Sequence, residues 1–85
     1  VKQLAIEWAS DGVLINTVFP SMVDTPMLRK NVSQSILESM ENKIPLGRIA
    51  QPNEIPPVIE FLISDKNTYI TGSGIDINGG QFLSG

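Results

Sequence analysis

The best place to look for chemistry in this sequence is the loop-like run Ser21-Met22-Val23-Asp24-Thr25-Pro26. Ser21 and Thr25 carry hydroxyls that both donate and accept, Asp24 carries a carboxylate, and the backbone of such a loop is free to meet a ligand. The 85 residues include no Cys and no His. That removes disulfides, thiolate chemistry and zinc sites of the usual Cys type. It also removes the commonest general base and metal ligand. A site here works through backbone groups and hydroxyls.

An apolar run has to position this loop. Val13, Leu14, Ile15, Val18 and Phe19 read as a buried strand over 13–19, and Pro20, which has no N–H for a sheet ladder, stops it. A near-continuous apolar run suits a parallel strand covered on both faces. In open α/β sheets ligands bind beyond the carboxyl ends of the strands, which is where Ser21 begins. Asn16 interrupts the run and reads as a structural residue bonding nearby loop backbone.

The flanking segments supply helices and a second strand. Val1, Leu4, Ala5 and Trp8 share one helical face over 1–10, Trp8 being read as core or interface packing, and Asp11-Gly12 ends that helix. Asp24 or Thr25 can cap a short helix with Pro26 in its first turn. A second helix starting at Ser33 or Ser35 carries Ile36, Leu37 and Met40. The stretch 24–43 is polar and sparse in large apolar groups, as lids are. After the turn Ile44–Arg48, a helix is expected from near Pro52 to Ser64, with Ile55, Ile59, Leu62 and Ile63 buried. Pro56-Pro57 requires it to begin near Asn53 or to have an irregular first turn. Asp65–Thr71 reads as a loop, Gly72–Asn78 as a strand with Ile75 and Ile77 on one face, Asn78-Gly79-Gly80 as a turn, and Gln81–Gly85 as a loose tail.

The order helix, strand, lid helices, helix, strand forms one parallel βαβ unit. Two strands are not a stable sheet by themselves. The strand at 13–19 therefore needs a neighbour from other sequence or another chain. Val1 opening inside a helix points the same way, to a C-terminal fragment of a single domain occupying 1–85. The formal charge of −3 includes no basic run for phosphate contacts, so nucleic acid is not expected as a partner. No apolar run approaches the roughly 20 residues of a membrane span.

These segments, in this order, resemble the C-terminal portion of the short-chain dehydrogenase/reductase family. LAIEWASDG with VLINTVFP is similar to the family's helix and sixth strand. MVDTPM resembles its nicotinamide-side loop, and IPLGRIAQPNEI, FLISD and YITGSGIDINGG resemble its closing helix and seventh strand. The resemblance implies a doubly wound Rossmann-type α/β fold. It implies NAD or NADP as cofactor, hydride transfer to or from a small carbonyl or alcohol substrate, a cytoplasmic location and a homo-oligomer. It also implies roles for Pro20, Ser21, Val23 and Thr25 at the nicotinamide end, and for Met27 and Leu28 in the substrate lid. Where the family usually has Gly after the Pro, this chain has Ser21. The family's glycine-rich turn, catalytic Ser and Tyr-x-x-x-Lys pair do not occur. Tyr69 is the only tyrosine and no Lys follows it by four, so it reads as packing. No catalytic residue and no metal ligand is assigned, and the chain alone is expected to lack turnover. The alternative is a non-catalytic module that associates through its open sheet edge.

Overall fold

The computed structural model describes residues 1–81. The expected tail therefore lies, beyond Gln81, outside the described residues. Helix α1 spans Lys2–Trp8 and runs into a 3-10 turn at Ala9–Asp11. Gly12 ends it at φ 75°, a left-handed position suited to Gly, with its N–H donating to the Ala9 carbonyl at 3.0 Å.

Strands β1 (Thr17–Pro20) and β2 (Gly74–Ile77) pair in parallel, Thr17 opposite Gly74 and Pro20 opposite Ile77. Both are shorter than the sequence pattern suggests. The reason at the entry to β1 is Asn16. Its Nδ2 donates to the Ile70 carbonyl at 2.9 Å and its Oδ1 accepts from Ser73 N–H at 3.0 Å. Ile15 N–H donates to Thr71 Oγ1, and Gly72 N–H donates to the Ile15 carbonyl. The extended backbone continues toward Val13, but side chains carry much of the pairing there. At the other end, Pro20 lies inside β1. Thr17 N–H and Ser21 N–H both donate toward β2, to Ser73 and Ile77. Pro20 occupies the alternate position, where an N–H would face the opposite edge, so it costs this pair no hydrogen bond.

Helices α2 (Pro26–Asn31) and α3 (Gln34–Glu41) fill the crossover. Thr25 caps α2, Ser33 caps α3, and Pro26 sits in the first turn of α2. The helix expected from Pro52 divides into a 3-10 turn at Pro52–Glu54 and helix α4 at Pro56–Ile63. The irregular first turn resolves the proline difficulty, because Pro56 and Pro57 then occupy the opening of α4, where no N–H is needed. Asn67, buried, closes the loop after α4 by bonding Leu62, Ile70 N–H and the Ile70 carbonyl.

The buried apolar residues are Ala5, Leu37, Ile44 and Ile49, with Leu37 fully inaccessible. The expected inner faces of the outer helices lie open. Leu4 and Trp8 on α1, and Ile59 and Ile63 on α4, are exposed. An apolar hollow of about 380 Å³ lies between α4 and β2, walled by Phe61, Leu62, Ile70 and Ile75. The accessible surface is 6248 Å², where a folded monomer of this mass exposes about 5,000 Å². The radius of gyration is 15.9 Å, where a compact domain of this length has about 12 Å. A two-stranded sheet has too little area to cover the apolar faces of the helices around it. The faces of α1 and α4 are built for covering that these residues do not supply themselves.

Candidate functional site

The loop after β1 leaves the carboxyl end of the sheet and is held on both flanks. On the β2 side, Ser21 N–H donates to the Ile77 carbonyl at 2.9 Å and Ser21 Oγ donates to Gln81 Oε1 at 3.2 Å. On the other side, Val23 makes an isolated parallel bridge with Ala50. Ala50 N–H donates to the Met22 carbonyl at 3.2 Å, and Asp24 N–H donates to the Ala50 carbonyl at 2.7 Å. In a parallel bridge of this form the middle residue's own N–H and C=O point to the opposite side. The Val23 backbone therefore presents one donor and one acceptor away from Ala50.

Thr25 comes next, with extended backbone at φ −122° and ψ 157°. Its Oγ1 accepts from Leu28 N–H at 3.2 Å, capping α2. A hydroxyl has one proton and two lone pairs, so this bond leaves the O–H free to donate elsewhere. Capping and ligand recognition are compatible at this atom. Met27 and Leu28 follow on α2, Met27 at 73% exposure and Leu28 half-buried.

Asp24 does not face outward as a lone charge. Arg29 grips it with two parallel bonds, Nε to Oδ1 at 2.8 Å and Nη2 to Oδ2 at 2.9 Å, and Arg29 Nη1 reaches Gln34 Oε1 at 3.0 Å. The Arg29 guanidinium holds the Asp24 carboxyl below its ordinary range, with further help from Gln51. This clamp joins the loop to both α2 and the start of α3. A second bidentate pair stands beside it. Arg48 Nη1 and Nη2 donate to Glu54 at 2.6 and 2.9 Å. Glu54 Oε1 also accepts from Gln51 N–H at 2.8 Å, closing a capping box around the 3-10 turn. Arg48 and this N–H lower the Glu54 pKa to about 2.

The site residues expected from the sequence thus fall together. Pro20, Ser21, Val23 and Thr25 lie consecutively around the carboxyl end of β1, and Met27 and Leu28 stand directly after them. Ala50, Gln81 and the Arg29 clamp were not read from the sequence. Arg29 lies five residues from Asp24, which is neither a helix-face nor a strand-face spacing, and Gln81 lies sixty residues from Ser21. Only the Gln51-x-x-Glu54 spacing carried a local signal, that of a capping box. A niche of about 100 Å³ between Ser21, Ile44, Leu46 and Gly79 has room for a few waters. Among the described residues no group of three His, Cys, Asp or Glu side chains is placed to hold a metal ion.

Parallel strands joined through helices, with a polar loop at their carboxyl ends, are the unit from which open α/β sheets are built. The family model described as enoyl-(acyl carrier protein) reductase matches residues 1–81, and the chain belongs to the short-chain dehydrogenase/reductase family. It is 41% identical over 82 residues to an acetoacetyl-CoA reductase of Shinella zoogloeoides, covering 96% of this chain and 34% of that protein. It is 39% identical over 83 residues to a 3-oxoacyl-(acyl-carrier-protein) reductase of Pseudomonas aeruginosa, covering 98% of this chain and 33% of that one. A crystal structure of a short chain dehydrogenase family protein from Francisella tularensis superposes with a TM-score of 0.84 at 38% identity, over 94% of this chain and 37% of that one. The chain spans about a third of the length of the curated relatives it matches.

Proposed function

We propose that these residues form the C-terminal third of an NAD(P)-dependent oxidoreductase, with the loop after β1 holding the nicotinamide end of the cofactor. The observation that carries this reading is the Val23 backbone, turned away from its Ala50 bridge with one donor and one acceptor side by side. A carboxamide is neutral and offers the complementary pair, an acceptor oxygen and a donor N–H₂. Thr25 adds a free O–H at the same end, and the nearby carboxylate of Asp24 is already neutralised by Arg29. The residues present fit the group. When bound, the nicotinamide supplies or accepts the hydride. The chain's part is to fix which ring face meets the substrate, a small carbonyl or alcohol compound. Met27 and Leu28, with α2 and α3 across 24–43, form the lid over that substrate. Two of the relatives named above are an acetoacetyl-CoA reductase and a 3-oxoacyl-(acyl-carrier-protein) reductase, which supports a carbonyl substrate. Among the described residues no helix is long and apolar enough to cross a membrane.

Catalytic acid/base groups are not among these side chains, so the chain alone gives no turnover with NADH or NADPH and a panel of carbonyl compounds. Put in place of the matching third of the Shinella reductase, it supports NAD(P)H oxidation, and Val23→Pro, which deletes the outward N–H but spares the Ala50 bridge, weakens cofactor binding. Activity of the isolated chain, or full cofactor affinity with Val23→Pro, refutes the reading. The open faces of α1 and α4 favour a second reading, a module that only associates with another copy. That reading predicts self-association of the chain and no turnover by the exchanged enzyme.

A further inference from the structure

We propose that Ser21 is a positioning residue whose hydroxyl, through Gln81, sets the Val23 backbone at its working position and links it to the end of the lid; this rests on the reading above. Three observations meet at this point. First, Ser21 Oγ donates to Gln81 Oε1 at 3.2 Å across sixty residues, in a half-buried setting. Only Met22 separates Ser21 from Val23, so any shift of Ser21 passes to the Val23 donor and acceptor.

Second, Gln81 is itself fixed. It follows the Asn78–Gly80 turn and donates its N–H to the Asn78 carbonyl at 3.1 Å. Third, that turn is wedged against the segment that leaves α3. Leu46 N–H donates to the Gly79 carbonyl at 3.1 Å. A Cβ on Gly79, at φ +61°, would stand 2.7 Å from Ile44 Cγ2, and one on Gly80, at φ +88°, would stand 3.2 Å from Pro45. Ile44 is buried, which anchors this segment. The path therefore runs from α3 through Ile44–Leu46 and Gly79 to Gln81, and across the Ser21 hydroxyl to Val23. A Gly or Ala at 21 keeps the backbone bond to Ile77 but breaks this path.

The test uses the complete enzyme that carries these residues, with two ligands. NADH contains the nicotinamide; ADP-ribose is the same molecule without it. Ser21→Ala weakens NADH binding about fivefold, the size of one neutral hydrogen bond, and leaves ADP-ribose affinity unchanged. Gln81→Ala does the same, Ser21→Thr restores wild-type NADH affinity, and the double Ala variant is no weaker than either single one. Equal NADH affinity in Ser21→Ala, additive losses in the double variant, or a matching loss for ADP-ribose overturns the proposal. Where NADH does not bind, NADPH and 2′-phospho-ADP-ribose replace the pair; if the unaltered enzyme binds neither NADH nor NADPH, the nicotinamide reading fails and this one with it. If it binds both ligands of a pair and only the Ser21 variants behave as wild type, the tie alone fails.

Discussion

Thr25 caps α2, and the proposed function gives the same hydroxyl a second role at the cofactor; three substitutions pull the two apart. In Thr25→Val the shape is kept and the hydroxyl is lost. Leu28 N–H then loses the acceptor now at 3.2 Å, and α2, only six residues long, loses its N-cap. The loss of stability is about 1 kcal/mol. The same change removes the O–H that the proposed function directs at the cofactor, so on that proposal NADH binding weakens roughly two- to tenfold. Thr25→Asp is the informative variant. A carboxylate is at least as good a cap as Thr, so stability returns. It has no proton to donate at neutral pH, so NADH affinity stays low. Thr25→Ser restores both. Urea unfolding reads the first quantity and NADH fluorescence titration the second, NADH being chosen because its reduced ring carries no charge for the new Asp to attract. If Thr25→Asp binds NADH as tightly as the unaltered protein, the hydroxyl is a cap and nothing more.

The remaining expectations concern the frame that holds the loop. Glu54 has its pKa lowered to about 2 from 4.5 by Arg48 and the Gln51 N–H, and Asp24 is lowered from 3.8 by Arg29. In both cases the unfolded chain binds protons at a higher pH than the folded one. Their stabilising effect is therefore complete above about pH 5 and is lost as pH falls from 4.5 toward 2. Urea midpoints measured across this range should fall with pH, and Glu54→Gln should flatten the lower part of the curve; a midpoint independent of pH contradicts the pairing. Asn16→Leu leaves Ser73 N–H without its acceptor, while the Ile70 carbonyl keeps Asn67. The expected loss is about 1–3 kcal/mol, together with faster amide exchange at Ser73; unchanged protection there would show that β1 and β2 pair without Asn16.

The left-handed stop at Gly12 and a cap at Asp24 or Thr25 before Pro26 were legible because each is written in neighbouring residues, and the parallel pairing of the two apolar runs because the strand–helix–strand order dictates it. Periodicity and turn chemistry act over a few positions, and so do their signals. Helix α4 was legible down to its two options, since proline chemistry allows no third. Strand lengths were not, because a side chain, Asn16, takes over bonding that the backbone was expected to make. Nor were the exposures of Trp8, Ile59 and Ile63. Hydrophobic periodicity reports which face is meant to be covered, not what covers it, so the missing cover was read for the strand from the two-strand count but not for these helix faces. The Ser21–Gln81 and Asp24–Arg29 contacts were invisible for a different reason, as their spacings match no repeat of helix or strand.

The frame and the open faces together explain how a loop of Ser, Val and Thr holds a defined shape on so thin a sheet. Its geometry does not depend on a deep core. Ala50 fixes it on one side, Ile77 and Gln81 on the other, and Arg29 ties its Asp24 to the helices beyond. Each tie is a hydrogen bond or a bidentate ion pair, and each meets a different segment. Uncovered apolar side chains lie on α1, α4 and β1, and also on α2, α3 and the turn after it at Met27, Ile36 and Leu46. Covering those surfaces adds stability to the sheet as a whole. The relative positions of the Val23 backbone and the Thr25 hydroxyl are already determined by contacts within these residues.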